Sequence, residues 1–182
     1  PTPFPEIPYR ESMLKYGSDK PDLRNPIIIS DVTECYRDGG FGLFAKLVGE
    51  KGATVRAIPA PGAADRPRSF FDKLNDWARE EGAPGLGYII LEDGEGKGPI
   101  AKFVTGERLE KLKELTGAKD GDAVFFSAGD AGTAADLAGK ARTRIGEDLD
   151  LIAQGRYDFC WVVDYPMFEA DKDTGKIEFS HN

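Results

Sequence analysis

The side chains in this sequence that can do chemistry fall into a few clusters. Asp19, Lys20, Asp22 and Arg24 crowd one turn around Pro21. A solvated turn with local ion pairs accounts for them. Yet the turn joins a helical segment to the apolar run Ile27-Ile-Ile29, so it must sit beside the edge of a core. Ser127-Ala-Gly-Asp-Ala-Gly132 lies between an apolar strand pattern and a helical one, where backbone amides at a helix start can receive an anion. Lys140, Arg142 and Arg144 follow along that helix. A glycine-permitted turn with a solvated basic face explains the same residues more simply. The single histidine, His181, stands on or just beyond a strand-like run, Lys176-Ile-Glu-Phe179. A histidine so placed is by itself more often structural than catalytic.

Two glycine clusters imitate nucleotide loops and fail. Gly94-Glu-Gly-Lys-Gly98 has Leu91 where a phosphate loop needs its first glycine, and Gly98 where it needs Ser or Thr for a metal. It reads as a hairpin loop. Gly85-Leu-Gly87 lacks a third glycine, since position 90 is Ile90, and it enters a strand rather than a helix. The two cysteines, Cys35 and Cys160, and one histidine do not make a usual zinc site. Two buried free thiols of a cytosolic protein are expected.

The elements that must position these groups are legible from spacing. Tyr9, Met13, Leu14 and Tyr16 share a helical face that Gly17 stops. Ile27–Ile29 reads as a buried strand, with Ser30 and Asp31 able to cap a short helix. Phe41–Val48 and Ala53–Ile58 read as a hairpin turning at Gly49-Glu-Lys-Gly52. Phe70, Phe71, Leu74, Trp77 and Ala78 form one apolar stripe of a helix over 69–81. Strands follow at 86–91, 100–103 and 123–126. Helices follow from Thr105 to Gly117 and over 133–145. Hairpins and helices are mixed without regular alternation, so the expected fold is α+β: a mainly antiparallel sheet covered by helices on one face.

Composition narrows the function classes. The chain has 182 residues, 40% hydrophobic and 31% charged, with a net charge of −8. Residues 31–150 carry 17 basic and 22 acidic side chains, and no region is a basic platform. Autonomous nucleic-acid binding is therefore disfavoured. No apolar run approaches the ~20 residues that span a bilayer. The opening Pro1-Thr-Pro-Phe-Pro5 and the closing Phe179-Ser-His-Asn182 read as cut ends, with dense polar words beside both. They suggest the edges of a functional site whose other walls lie elsewhere.

Those words carry a resemblance. Tyr16-Gly-Ser-Asp-Lys-Pro-Asp-Leu-Arg-Asn-Pro26, Gly85-Leu-Gly-Tyr-Ile-Ile90, Pro99-Ile-Ala-Lys-Phe103, Asp120-Gly-Asp-Ala-Val-Phe-Phe126, and Trp161-Val-Val-Asp-Tyr-Pro-Met-Phe-Glu169 leading to Ser180-His-Asn182 occur in one order across the chain. In these words it resembles the bacterial aspartyl-tRNA synthetases of class II. The resemblance implies an internal fragment. Residues 31–149 would be the inserted α+β module called the GAD domain, and 1–30 and 150–182 flanks of the catalytic domain. The module's ends should then meet, with Ile27–Ile29 near Trp161–Val163.

It further implies a cytoplasmic ligase, a homodimer off the membrane, with aspartate, ATP, Mg²⁺ and tRNA as its partners. Aspartate is activated by ATP and transferred to tRNA. The arginines of the class motifs would lie outside this chain, so no catalytic residue falls in it and the fragment alone is expected to be inactive, with no cofactor bound. His181 matches a family histidine that holds the aspartate substrate, and Asn182 stands where many members have a second histidine. Lys140, Arg142 and Arg144 become candidate tRNA contacts. The alternatives are a tRNA-binding module of an amidotransferase subunit, or a free-standing interaction domain.

Overall fold

An apolar run such as Ala123-Val-Phe-Phe126 has no polar face, so as a strand it must be buried on both sides. The computed structural model describes residues 3–37, 53–171 and 174–180. In chain order its elements are β1 (Glu6–Pro8), α1 (Tyr9–Lys15), β2 (Ser30–Asp31), α2 (Glu34–Arg37), β3 (Thr54–Ala60), α3 (Arg68–Glu80), β4 (Gly87–Glu92), β5 (Glu95–Lys97), a 3₁₀ turn (Ala101–Phe103), α4 (Glu107–Thr116), β6 (Ala123–Gly129), α5 (Ala131–Asp148), β7 (Trp161–Val163), β8 (Phe168–Ala170) and β9 (Ile177–Phe179). Among the described residues β2, β3, β6, β4 and β5 form a sheet in that order, antiparallel at every pairing.

Alternate residues of β6 feed two cores. Val124 and Phe126 join Val55, Ile89, Leu91 and Leu112 on one face. Ala123 and Phe125 join Ile58, Phe71, Leu74, Ala138 and Ile145 on the other. Each large side chain so buried stabilises the fold by roughly 1.5–3 kcal/mol. The antiparallel α+β architecture matches the expectation, but its cover does not lie on one face. Helices α2 and α4 lie over one side and α3 and α5 over the other, because an all-apolar central strand needs a layer on each side.

Local chemistry explains the connections. Asp93 and Gly94 both take left-handed φ, 54° and 77°, giving the β4–β5 hairpin a turn whose twist suits the strands. The Gly94 amide donates to Asp120 Oδ2 at 2.7 Å. Of the loop expected over 94–98 only Gly94 lies in this turn, because Glu95–Lys97 pairs with β4 as β5. Asp122 is buried and accepts from the amides of Gly62 and Lys119 at 2.9 and 3.0 Å. It ties the Pro59–Gly62 break to the start of β6. Residues 100–103, expected as a strand, close instead as the 3₁₀ turn, with amides of Phe103 and Val104 bonded three residues back. The expected strand at Phe41–Val48 and its turn at 49–52 lie outside the described residues.

β1 pairs in parallel with β7, Ile7 opposite Val162. Ile27–Ile29, expected as a strand, makes none, and burial draws Ile27 and Ile29 into the core beneath α3 and α5. Pairing into the five-stranded sheet starts at Ser30. On α1, Leu14 is exposed, and Ser12 is the fully buried residue, its hydroxyl donating to Ser18 O at 2.6 Å. The chain leaves and returns side by side: Ala153 N donates to Arg24 O at 3.2 Å.

Backbone-to-backbone contact joins this front segment to α5. A Cβ at Gly17 would lie 2.4 Å from Ala135 O, and one at Gly139 would lie 2.5 Å from Gly17 O. In an open helix, Gly→Ala stabilises by up to about 1 kcal/mol. Here the neighbour is main chain and cannot swing away, so a steric cost of about 1–3 kcal/mol wins. We expect Gly139→Ala to lower the urea midpoint of unfolding, by about 1–2 kcal/mol net. A midpoint equal to or above that of the unsubstituted protein would remove the close approach from the account.

Candidate functional site

The two polar words near the ends of the sequence meet in space. Asp19, Lys20 and Pro21 form one wall of a cleft of about 380 Å³, and Asp158, Phe159, Cys160, Val162 and Tyr165 form the other. The walls are pinned together. Tyr165 OH donates to Asp19 O at 3.2 Å, and the Tyr9 and Tyr165 rings lie 5.1 Å apart. Trp161 N donates to Pro5 O at 2.9 Å, which sets β7 beside β1. Beside the cleft, Asp22 takes both Nε and Nη2 of Arg24, at 2.9 and 2.8 Å. That pairing holds the Asp22 carboxyl below its ordinary range, with the Arg24 amide adding to it and burial opposing. Arg156 Nη2 donates to Asp158 Oδ2 at 2.6 Å.

Charged side chains and one thiol, Cys160, line this cleft. Cys160 is half-buried, while Cys35 is buried and its thiol is pushed up by desolvation. The expectation of two buried thiols thus holds for Cys35 only. Among the described residues no three His, Cys, Asp or Glu side chains converge to hold a metal ion. No helix there is long and apolar enough to cross a membrane. The arrangement can bind and orient.

The exposed apolar surface has a sharp distribution. Among the described residues, every large hydrophobic side chain that stands exposed lies in residues 1–30 or 150–182, except Leu115. Phe159, Trp161, Ile177 and Phe179 are 62%, 61%, 77% and 69% exposed. They sit on the β1–β7 pair and on the β8–β9 hairpin, in which Phe168 faces Phe179 across the strands with ring centroids 4.8 Å apart. Such apolar surface gathered on two small sheets marks a face made to be covered. The hairpin closes where Ser180 donates to Met167 O and Pro166 O. His181 and Asn182 follow it and lie outside the described residues.

The three basic residues of α5 part company. Lys140 is exposed and bonded to Glu81 and Asp136, at 2.8 and 3.2 Å. Arg144 pairs with Asp148 at 2.9 Å. Arg142 is 2% exposed. Its Nε donates to Ile27 O at 2.7 Å, and its Nη2 to Asp22 O and Asn25 O at 2.9 and 2.7 Å. Its guanidinium lies 5.0 Å from the Tyr16 ring centroid. Arg142 therefore cannot be a surface contact to tRNA, since its donors are spent on main-chain carbonyls inside the molecule. Sequence reasoning missed this role, though a signal existed. Gly139, Arg142 and Gly146 stand three and four residues apart, one helical face that also carries Ala135 and Ala138.

The turn before α5 is occupied by the protein's own anion. Asp130 caps the helix, accepting from the amides of Gly132 and Thr133 at 3.1 and 3.0 Å. The plainer reading of this turn accounts for it. Bonds from Thr133 hydroxyl and amide, then Gly132, hold the Asp130 carboxyl below its ordinary value. Its stabilisation is thus full above the unfolded value of about 4 and fades as pH falls through the lower folded value. We expect Asp130→Ala to cost about 1 kcal/mol at neutral pH. The difference from the unsubstituted protein, read by urea unfolding, should shrink below about pH 4. A difference that grew on acidification would contradict the cap.

Comparison with known proteins adds identity to this geometry. The family model of the GAD domain matches residues 44–138. The chain is 62% identical to the aspartate–tRNA(Asp/Asn) ligase of Acidiphilium cryptum over 99% of its length, which is 30% of that protein. It is 63% identical to the ligase of the same name from Paramagnetospirillum magneticum over its whole length, 21% of that protein. The Gluconobacter oxydans ligase is 59% identical over 98% of the chain and 30% of its own length. The chain thus spans a fifth to a third of these relatives. It belongs to the GAD domain family.

Proposed function

We propose that this member of the GAD domain family works as part of an aspartate–tRNA ligase, with residues 31–149 as the inserted module and 1–30 and 150–182 as pieces of the catalytic domain. The observation that carries the reading is the confinement of exposed apolar side chains to the two flanks. The sheet of β2 to β6 has its own two-sided core, while β1–β7 and β8–β9 present faces that a larger body would cover. The similarity to ligases across 98–100% of the chain supports which body that is.

In such a ligase an aspartate carboxylate oxygen attacks the α-phosphorus of ATP, and the bond to the departing pyrophosphate breaks. The acyl group of the adenylate then passes to the end of the tRNA. The parent would work as a cytoplasmic homodimer. Residues of this chain supply binding and position rather than bond-making. Mg²⁺, which accompanies ATP in such a ligase, would be held by residues of the larger body, since no three His, Cys, Asp or Glu side chains gather among the described residues here. His181, which follows β9 in the sequence, is assigned to the aspartate substrate, to whose carboxylate an imidazole donates well, most strongly when protonated. Lys140 and Arg144, the outward cations of α5, are assigned to the tRNA side.

Two expected outcomes follow from these assignments. The 182-residue chain alone should show no aspartate-dependent ATP–pyrophosphate exchange above blank, because on this reading the arginines of the class motifs belong to the rest of the ligase. Clear exchange would refute the division of labour. In the full-length ligase, His181→Ala should lower kcat/KM for aspartate by about 10- to 150-fold, the worth of one hydrogen bond to a charged group, roughly 1.5–3 kcal/mol. Its thermal midpoint should barely move. An efficiency within about twofold of the unsubstituted ligase would leave His181 a structural residue.

A further inference from the structure

One stretch of chain touches both the cleft and the GAD module. Residues 19–21 line the cleft, and Asp22, Asn25 and Ile27 hand their carbonyls to Arg142 of α5. No strand or helix runs through 18–29, so regular pairing does not place this stretch. Side chains do. The Asn25 amide donates to Arg142 O at 2.9 Å, and its oxygen accepts from Ile27 N at 3.0 Å. A Cβ at Gly146 would lie 2.3 Å from that same amide nitrogen, which shows how closely the stretch is seated.

A buried arginine is a costly way to fill space. An apolar side chain of similar bulk would avoid the desolvation that depresses the guanidinium's basicity here, against the opposing pull of Tyr16 and Asp22. What a guanidinium adds is direction. Its N–H groups form a planar fork, and three carbonyls bonded to one fork are placed relative to each other and to α5. Lysine, a single rotatable ammonium, does not set three acceptors in this way.

We propose that Arg142 is a positioning residue, whose fork fixes residues 19–27 on α5 so that the cleft wall and the GAD module move as one body. The structural content stands by itself. Its consequence for tRNA charging rests on the ligase reading above: a module that swings free of the cleft wall presents tRNA badly while leaving aspartate activation intact.

The test uses the full-length protein with Arg142→Met, which keeps bulk, and Arg142→Lys, which keeps charge and is the milder change should the first fold poorly. Amide hydrogen exchange should rise about tenfold or more at Asn25, Ile27 and Ile29 in both variants, and stay within about twofold at Val124–Phe126. In aminoacylation, KM for tRNA should rise about fivefold or more, with aspartate-dependent pyrophosphate exchange within about twofold and the salt dependence of tRNA binding unchanged. A direct phosphate contact would instead lower the salt slope by about one, as charge reversal at Lys140 would. Unaltered exchange at residues 25–29, equal loosening of β6, or a reduced salt slope would each overturn the proposal. If the unsubstituted protein charges no tRNA with aspartate, the ligase reading fails, and the amide measurement still decides the role of Arg142.

Discussion

Arg142 carries a charge into the interior at the point where α5 meets residues 22–27. A guanidinium cut off from water must find an acceptor for its N–H groups, or the desolvation cost is not met. Here the acceptors are carbonyls of a stretch that has no regular secondary structure of its own. The need is mutual. The carbonyls of Asn25 and Ile27 are buried and that of Asp22 half-buried, so they require donors, and the arginine supplies them from one rigid plane. The small residues around it make this possible. Gly17 against Gly139 lets main chain approach main chain, and Gly146 leaves room for the Asn25 side chain.

The central sheet imposes the second constraint. Ala123–Phe126 carries apolar side chains on both faces, so layers must form above and below it. α3 and α5 cover one side, with Phe71 and Phe125 stacked at 5.7 Å. α2 and α4 cover the other, where Arg108 donates to the Cys35 and Phe103 carbonyls and ties the two helical pieces together. This part of the chain satisfies its own apolar surface. The flanks do not, and the contrast between a finished module and unfinished edges carries the functional reading more than any single side chain does.

Position and chemistry are thereby separated. Arg142 of α5 holds the turn at residues 22–27 from within, and residues 19–21 of the same stretch face a cleft shared with β7 and Tyr165. Tyr165 is bonded to backbone and stacked on Tyr9, and Asp158 is paired with Arg156, contacts that keep the cleft wall in place.

Much of this was legible in the residues themselves. Periodicity located α3, α4 and α5 within a few residues, because one apolar face repeats every three to four positions and Gly117 ends its helix at φ 68°. The glycine-rich stretch 94–98 announced a turn after β4, but β5 pairs inside it and the turn itself is Asp93-Gly94. The end words announced the family because their order spans the whole chain. Other features were decided by tertiary structure alone. A triple isoleucine has the composition of a strand, yet Ile27 and Ile29 are drawn individually into a core while the Ile27 carbonyl goes to an arginine. A run of Lys140, Arg142 and Arg144 looks like one basic face in a linear reading. On a helix, successive residues turn by about 100°. Arg142 therefore points inward between two outward cations, and whether an inward arginine is tolerated depends on acceptors more than a hundred residues away in the chain, which no local pattern records.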